Sequence, residues 1–240
     1  MTLTASNGMN KKYSKLSPGL RKFIEPDNNQ VASGTISDYV KKSRTPVASF
    51  AQRTLNHTNG GATMQAALWL KNHLDKGGKL VVTIAGALSS FQIGVMLAEL
   101  IRKDKVHLVS ATGANHEESY HRYVAHSRYA YIPRYTELTP EQEAELRDAG
   151  LRRITDTFLP EDESVRIMEP HLLKMWKDAE QEGKRYFPHE YFRRLFSEKR
   201  IKADVKANPD DSWVYAAYQK DIPIVVPGFE DSTMGNIFAS

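Results

Sequence analysis

The chain has 240 residues, no cysteine and a formal net charge of +4, with 40% hydrophobic and 26% charged residues. This balance is typical of a globular protein with one good-sized core. The lack of cysteine excludes disulfides and cysteine-based zinc sites and suits a reducing cytoplasm. No apolar run approaches the ~18 residues of a membrane span, and the N-terminus does not have the pattern of a secretory signal.

The first part of the chain is predicted to hold an arm, a helix and a buried strand. Residues 1–45 are polar and weakly periodic, which indicates an extended arm with little structure of its own. A helix is predicted over residues 62–75 and ends at the glycine pair that follows it. The apolar run at residues 80–84 indicates a strand that is buried on both faces, as in a parallel sheet. The predicted inward face of the helix consists of Ala66, Ala67, Leu70 and Leu74.

A βαβ unit follows from this strand. After a small-residue loop at 85–90, the sequence "FQIGVMLAELI" is predicted to form a helix with Ile93, Leu97 and Leu100 on one face. The run at residues 106–110 then predicts a second strand. One strand, one helix and a further strand within about thirty residues form a right-handed crossover in parallel sheets.

Further helices and a third strand complete the pattern. Thr139, Pro140 and Gln142 form the capping box of a helix that stops at Gly150. A helix over 161–183 should bend or restart at Pro170. Asp210 or Asp211 is expected to cap the next helix. The run at 222–228 predicts the third strand, and a final helix is expected to begin within 236–240, so that the chain ends inside a βαβ unit. The predicted class is α/β, an open, mostly parallel sheet with helices on both faces and incomplete at the C-terminus.

The positive net charge raises the possibility of a nucleic-acid partner. The best basic segment, residues 185–202, also carries aromatic residues near helical spacing, which favours core packing over a nucleic-acid surface. Basic residues elsewhere alternate with acids. We therefore expect neither a nucleic-acid nor a membrane partner.

Three loops of small residues follow the three predicted strands. In an open parallel sheet, ligands bind beyond the carboxyl ends of the strands, where small residues let the backbone approach a phosphate. Ser89, Ser90 and Thr112 add hydroxyl groups, and Asp231 can accept a hydrogen bond from a ribose. Composition alone leaves two interpretations open, a nucleotide site or simple tight turns.

The sequence "HEESYH" invites comparison with a zinc motif. His116 and His121 are five residues apart, whereas the zinc motif requires four, so both are expected on the surface and not at a metal. Glu117 and Glu118 lie at the start of a predicted helix. They either compensate the helix dipole or receive a cationic substrate.

The motifs together resemble one family. "TIAGALSS", "VHLVSATGANHEES", "RYFPHEYF" and "IPIVVPGFEDSTMGNIFAS" occur in the order found in the deoxyhypusine synthase family, particularly its bacterial deoxyhypusine synthase-like branch. The resemblance runs from about residue 36 to residue 240. It implies a Rossmann-like NAD-binding domain over residues 46–240 and a tetramer made of two tight dimers.

The resemblance also implies a reaction. In this family a hydride passes from spermidine to NAD, and an aminobutyl group moves through an imine on an enzyme lysine to an acceptor amine. The acceptor is a protein lysine in eukaryotes and a small polyamine in the bacterial relatives, with homospermidine as a product. A cytoplasmic transferase is expected.

Site residues are carried over by position in the motifs. Asp231 matches the acidic NAD contact, and Asn236 stands where the family has a polyamine-binding Asp. Gly86 replaces a family Asn. The family's two polyamine-binding acids fall at His116 and Glu117, with Glu118 beside them. The resemblance implies NAD contacts from Ala85, Gly86, Ala87, Leu88, Ser89, Ala111, Thr112 and Gly113.

The family's nucleophilic lysine has no match in these 240 residues. We therefore expect the chain to be catalytically incomplete without a C-terminal part, held on a companion polypeptide or a longer product. The alternative is a shortened, non-catalytic paralogue that binds a partner or regulates a full-length homologue.

Overall fold

The computed structural model describes Tyr13, residues 15–24 and residues 47–240, and these residues form an α/β structure with two small sheets. The helices are α1 (Pro18–Arg21), α2 (Val47–Thr54), α3 (Thr58–Asp75), α4 (Gly94–Arg102), α5 (Gly113–Ala125), α6 (Pro140–Asp148), α7 (Glu161–Gln181), α8 (Pro188–Ser197), α9 (Trp213–Lys220) and α10 (Thr233–Ala239). The strands are β1 (Val81–Ile84), β2 (Leu108–Ala111), β3 (Ala130–Tyr131), β4 (Leu151–Ile154), β5 (Thr157–Pro160) and β6 (Ile224–Val225).

The three predicted strands form one parallel sheet in the order β1-β2-β6. Ile84 pairs with Ala111, and Ser110 pairs with Val225, so the carboxyl ends of all three strands lie at the same edge. The prediction of a βαβ unit from consecutive strands is confirmed, with α4 as the connecting helix.

The burial of β1 and α3 differs from the prediction. Val81 is 55% exposed, because β1 is the edge strand and has one neighbour among the described strands. Helix α3 exists and begins four residues earlier than predicted, but none of its residues is buried. The double burial predicted for β1 and the covered face predicted for α3 are therefore wrong for the described residues.

The predicted buried face of helix α4 is confirmed at Leu97 and wrong at Ile93 and Leu100. Its buried side chains are Val95, Leu97, Ala98 and Ile101, whereas Ile93 and Leu100 are exposed. Gln92 has a left-handed φ of 62° shortly before the helix, which begins at Gly94. The buried face packs against α9, and a Cβ at Gly94 would lie 2.7 Å from Trp213 Cδ1.

The later helices follow the predicted signals in part. Thr139 and Gln142 form the capping box of α6, and Gly150 follows its end with φ 78°. Helix α7 continues through Pro170 without a restart. Ser212 caps α9 in place of Asp210 or Asp211, because those two residues form the preceding 3₁₀ turn.

A second core lies under the antiparallel sheet β3-β5-β4, which was not predicted. Tyr13, Leu16 and Leu20 from the N-terminal arm are buried in this core with Leu146 and Phe158. The arm was expected to have little structure, yet this part of it docks on the small sheet. Residues 1–12, 14 and 25–45 of the arm lie outside the described part of the chain.

The main core joins α4, α5, α7, α8 and α9 to the parallel sheet. Four residues of the basic and aromatic segment 185–202 contribute to this core, namely Tyr191, Phe192, Leu195 and Phe196. Tyr186 and Phe187 of the same segment are exposed. Core packing is thus confirmed for the α8 part of that segment. Within the described residues, no helix combines the length and the apolar character that crossing a membrane requires.

Candidate functional site

The loop after β2 leads directly into α5, the helix around which the candidate site is built. Thr112 caps this helix, because its side-chain oxygen accepts a hydrogen bond from the Asn115 backbone N–H. The Thr112 N–H in turn donates to the Ile84 carbonyl at 3.2 Å, which fixes the second loop beside the end of β1. The residues 115–122 of α5 are all buried, so this helix is enclosed on nearly every side.

Asn115 ties the first loop to the second. Its Oδ1 accepts from the Ser89 backbone N–H at 3.2 Å, and its Nδ2 donates to the Gly86 carbonyl. The Ser89 hydroxyl donates to the Asn115 carbonyl at 2.8 Å and accepts from Trp213 Nε1 at 3.0 Å. Ser89 is therefore committed to internal contacts, and Asn115 is a structural residue that sequence reasoning missed. An Asn three residues after a cap gives no signal that distinguishes it from a surface residue.

The third loop packs against the start of α5. A Cβ at Gly113 would lie 2.8 Å from Ser232 Cβ and 2.9 Å from the Phe229 carbonyl oxygen. Only glycine fits this contact without movement of the backbone. Ser232 caps α10, because its hydroxyl accepts from the Gly235 N–H at 3.0 Å.

Glu117 holds α10 in place. One carboxylate oxygen accepts from the Thr233 N–H at 2.9 Å and the other from the Met234 N–H at 2.8 Å. Burial raises the pKa of Glu117, and these hydrogen bonds oppose that rise. The Glu117 carboxylate, which lies on α5, therefore stabilises the N-terminus of a different helix, α10.

Glu118 contacts the first loop. Its carboxylate accepts from the Ser90 N–H at 3.2 Å, and burial raises the pKa of Glu118 to about 7. Arg122 donates to the Ser90 carbonyl at 2.9 and 2.6 Å and lies over the Tyr129 ring. Glu118 is thus a buried carboxyl group whose charge changes near neutral pH.

The expectation that His116 and His121 lie on the surface is wrong. His116 is fully buried among Tyr120, Phe192 and Trp213, and its ring centroid is 4.8 Å from that of Phe192. His121 is 1% exposed. None of the four ring nitrogens has a hydrogen-bond partner in the described structure. Burial lowers the pKa of each imidazole to about 3, so both rings are neutral.

A cavity of about 460 Å³ lies between α5, the small antiparallel sheet and the start of α10. Four side chains that line it carry carboxyl groups, and one of these, Glu161, is paired with both Arg152 and Arg166. The formal charge of the lining is therefore negative. Its walls are formed by Ala114, Glu117, Glu118, His121, Arg152, Ile154, Leu159, Glu161, Val165, Asp231, Ser232, Thr233 and Asn236.

The structure brings four of the predicted substrate and cofactor residues together in this cavity, namely Glu117, Glu118, Asp231 and Asn236. His116 is a correction to the predicted polyamine set, because its ring faces the aromatic core and does not line the cavity. His121, Arg152 and Glu161 are lining residues that sequence reasoning missed. They reach the cavity from elements whose packing the sequence does not reveal.

Apart from Asp231, the residues predicted to contact NAD do not line the cavity. Ala85 and Gly86 are exposed at the end of β1, and Gly86 has φ 73° with open space at its Cα. Ala87, Leu88 and Thr112 are half-buried, and Ser89, Ala111 and Gly113 are buried. Ala85 and Gly86 thus leave the start of the first loop accessible to a ligand, whereas the Thr112 hydroxyl caps α5, and Asp231 is exposed on the third loop.

Comparison with known proteins gives a family and several curated relatives. A family model described as deoxyhypusine synthase matches residues 52–240. A deoxyhypusine synthase-like protein of Elusimicrobium minutum (strain Pei191) is 27% identical over 163 residues, which cover 67% of this chain and 40% of the relative. A deoxyhypusine synthase-like protein of Chlorobaculum parvum is 26% identical over 168 residues, covering 67% and 43%. The chain therefore spans about two-fifths of the length of these curated relatives.

One solved structure with some similarity is that of a conserved LOR/SDH protein from Methanococcus maripaludis S2. The alignment covers 77% of this chain and 40% of the Methanococcus chain. The sequence identity is 10% and the TM-score is 0.33, a likeness too low to carry an argument.

Proposed function

This chain belongs to the deoxyhypusine synthase family, and we propose that it binds a polyamine, spermidine or a close relative, for NAD-dependent aminobutyl transfer. The observation that carries the proposal is the cavity lined by the carboxyl groups of Glu117, Glu118 and Asp231. A polyamine is a flexible chain of ammonium groups, and carboxylates spaced along a concave wall match its charges in series.

Different side chains of the cavity wall are expected to bind different parts of the polyamine. Glu117 and Glu118 lie deep on α5, Glu161 lies at the start of α7, and Asp231 and Asn236 lie towards the exposed side. Ile154, Leu159 and Val165 supply apolar surface for the methylene segments between the ammonium groups. Acidic and apolar patches in alternation are what a polyamine requires.

For the cofactor, we propose that the adjoining loops hold NAD in a Rossmann-like arrangement. The exposed backbone at Ala85 and Gly86 lets a dinucleotide approach the end of β1, and the Thr112 hydroxyl and Asp231 carboxylate provide polar contacts. Bound NAD supplies the hydride acceptor for oxidation of an amine. Replacement of Asp231 by Ala should weaken NAD binding by about 1–3 kcal/mol, measured by calorimetry, and an unchanged affinity would remove Asp231 from the site.

Aminobutyl transfer through an imine also needs a lysine near the bound amine. No lysine belongs to the described residues that line the cavity. We propose that a companion polypeptide provides it within an oligomeric assembly in the cytoplasm. The same observation favours a second candidate, a paralogue that binds polyamine without turnover and regulates a full-length homologue. Borohydride trapping with spermidine and NAD separates the two, because only a catalytic assembly gives an enzyme–imine mass increment.

The polyamine itself is tested by titration calorimetry of the 240-residue chain with spermidine. Asn236 lies at the cavity mouth without charge, so Asn236→Asp should tighten spermidine binding several-fold, by up to about 1 kcal/mol, and added salt should reduce this gain. Asp210→Asn is the control, since Asp210 is an exposed carboxylate outside the cavity.

Two results would contradict the proposal. The first is an absence of spermidine binding to the wild-type chain. The second is binding that does not change when Asn236 becomes Asp.

A further inference from the structure

His121 is the one uncharged, unpartnered polar ring in the wall of the cavity among the described residues. It is 1% exposed, it lines the cavity with Glu117 and Glu118, and both of its ring nitrogens lack a hydrogen-bond partner. Buried polar groups are nearly always paired in folded proteins, since an unmade hydrogen bond costs free energy. An unpaired ring beside a cavity therefore calls for an explanation.

The position of His121 on α5 follows from helical spacing. His121 comes three residues after Glu118 and four after Glu117, so all three side chains share one face of α5. That face borders the cavity. A ligand in the cavity thus lies within about one helical turn of two carboxyl groups and the imidazole, a rise of ~6 Å, and it reaches the covered ring nitrogens of His121 when the ring turns toward it.

We propose that His121 binds the polyamine by accepting a hydrogen bond from one of its N–H groups, while the neighbouring carboxyl groups neutralise the charge. An ammonium or amine N–H is a donor, and a neutral imidazole offers one acceptor nitrogen. The ring orients the bound polyamine and selects for its length, and it adds no charge to the cavity. This inference rests on the proposed function, and it names a specificity-determining residue for the same site.

His116 provides a matched control on the same helix. It is as deeply buried as His121 and its ring nitrogens are also unpartnered, but its neighbours are Tyr120, Phe192 and Trp213 in the main core. Replacement of either ring by Leu removes an unpaired buried polar group at similar volume, a change that is neutral or stabilising in proteins. Stability alone should therefore not separate the two variants.

The experiment compares spermidine affinity and melting temperature for the 240-residue chain. His121→Leu should weaken spermidine binding about tenfold or more, while its melting temperature stays equal to that of the wild type or rises. His116→Leu should leave the affinity within about twofold. His121→Gln, which keeps an acceptor, should recover part of the lost affinity. A merely structural role would lower stability and leave the affinity of the folded fraction unchanged.

The outcomes separate this inference from the proposed function. If wild type binds spermidine and His121→Leu binds it equally well, the role of His121 is overturned and the polyamine site stands. If wild type does not bind spermidine, both fail. Should His121→Leu fail to fold, the wild-type chain with ¹⁵N-labelled histidine decides the question. Spermidine should shift the His121 ring nitrogen resonances, and unchanged resonances in the bound state would overturn the role.

Discussion

At the scale of single residues, the two adjacent acids of α5 have different tasks. Glu117 accepts two backbone hydrogen bonds from the start of α10, whereas Glu118 accepts one from Ser90. Burial raises the pKa of both, and to about 7 for Glu118. Sequence predicted that these acids mark a site. It did not reveal that one of them also fixes the helix that closes the cavity.

The raised pKa of Glu118 predicts a pH-dependent stability. The carboxyl group titrates near 4.5 when it is unfolded and near 7 in the fold. Between these values the folded state holds the extra proton, so the free energy of unfolding decreases as the pH rises and is constant above the folded pKa. Denaturant unfolding across this window should show wild type losing about 1–3 kcal/mol relative to Glu118→Gln, whose neutral amide does not titrate.

Glu230 provides the control for this measurement, because it is an exposed carboxylate on the third loop. Glu230→Gln should show the same pH slope as wild type. If the free energies of unfolding of wild type and Glu118→Gln change in parallel from pH 4.5 to 7, the fold does not raise the pKa of Glu118.

At the scale of elements, the seating of α10 decides the shape of the candidate site. This helix is held by the Ser232 cap, by the Glu117 carboxylate and by close packing on the 3₁₀ turn at Phe229–Asp231. Together these contacts place Asp231 and Asn236 at the cavity. The sequence predicted a helix near this position, yet the Glu117 contact that holds it comes from a helix more than a hundred residues earlier in the chain.

Gly235→Ala tests the packing of α10. A Cβ at this position would overlap the Phe229 carbonyl oxygen and lie 2.7 Å from its carbon, and this backbone cannot yield as a flexible side chain does. The free energy of unfolding should fall by about 1–3 kcal/mol. It is measured by denaturant titration.

Gly19→Ala is the matched control, since nothing lies within 4 Å of its added Cβ in α1. That variant should be neutral or gain up to about 1 kcal/mol from helix propensity. Equal stability of Gly235→Ala and wild type would mean that the third loop has room to move.

At the scale of the whole molecule, several large apolar side chains are exposed on α2, α3, β1 and α4. Trp69 is 67% exposed, Val47 is 78% exposed and Val81 is 55% exposed. Exposed apolar surface and a bare edge strand favour association. Self-association, which the family resemblance implies, would cover such surface.

Trp69→Glu provides the test at this scale. If α3 packs against a second copy, the charge at its most exposed aromatic should lower the association constant about tenfold or more, by analogy with buried interface anchors. Sedimentation equilibrium of wild type and variant measures this change. Lys71→Glu controls for the added charge, because Lys71 is an exposed position on α3. Trp176→Glu is not a suitable control, because the Trp176 ring is buried. A wild-type chain that remains monomeric at high concentration would contradict self-association.

Local signals in the sequence determined the parts of this protein that depend on neighbours in the chain. The apolar runs at β1, β2 and β6, the capping box at Thr139 and the stop at Gly150 are short-range, and each was predicted correctly. The motif order around Glu117 and Asp231 also sufficed to indicate the family. Tertiary structure alone decided the rest, because burial depends on what packs from afar. Only the fold could place Tyr13 in a core, leave α3 without a buried residue in the described part of the chain and enclose His121 beside two carboxyl groups. The hydrophobic pattern does not indicate which distant element covers a given face.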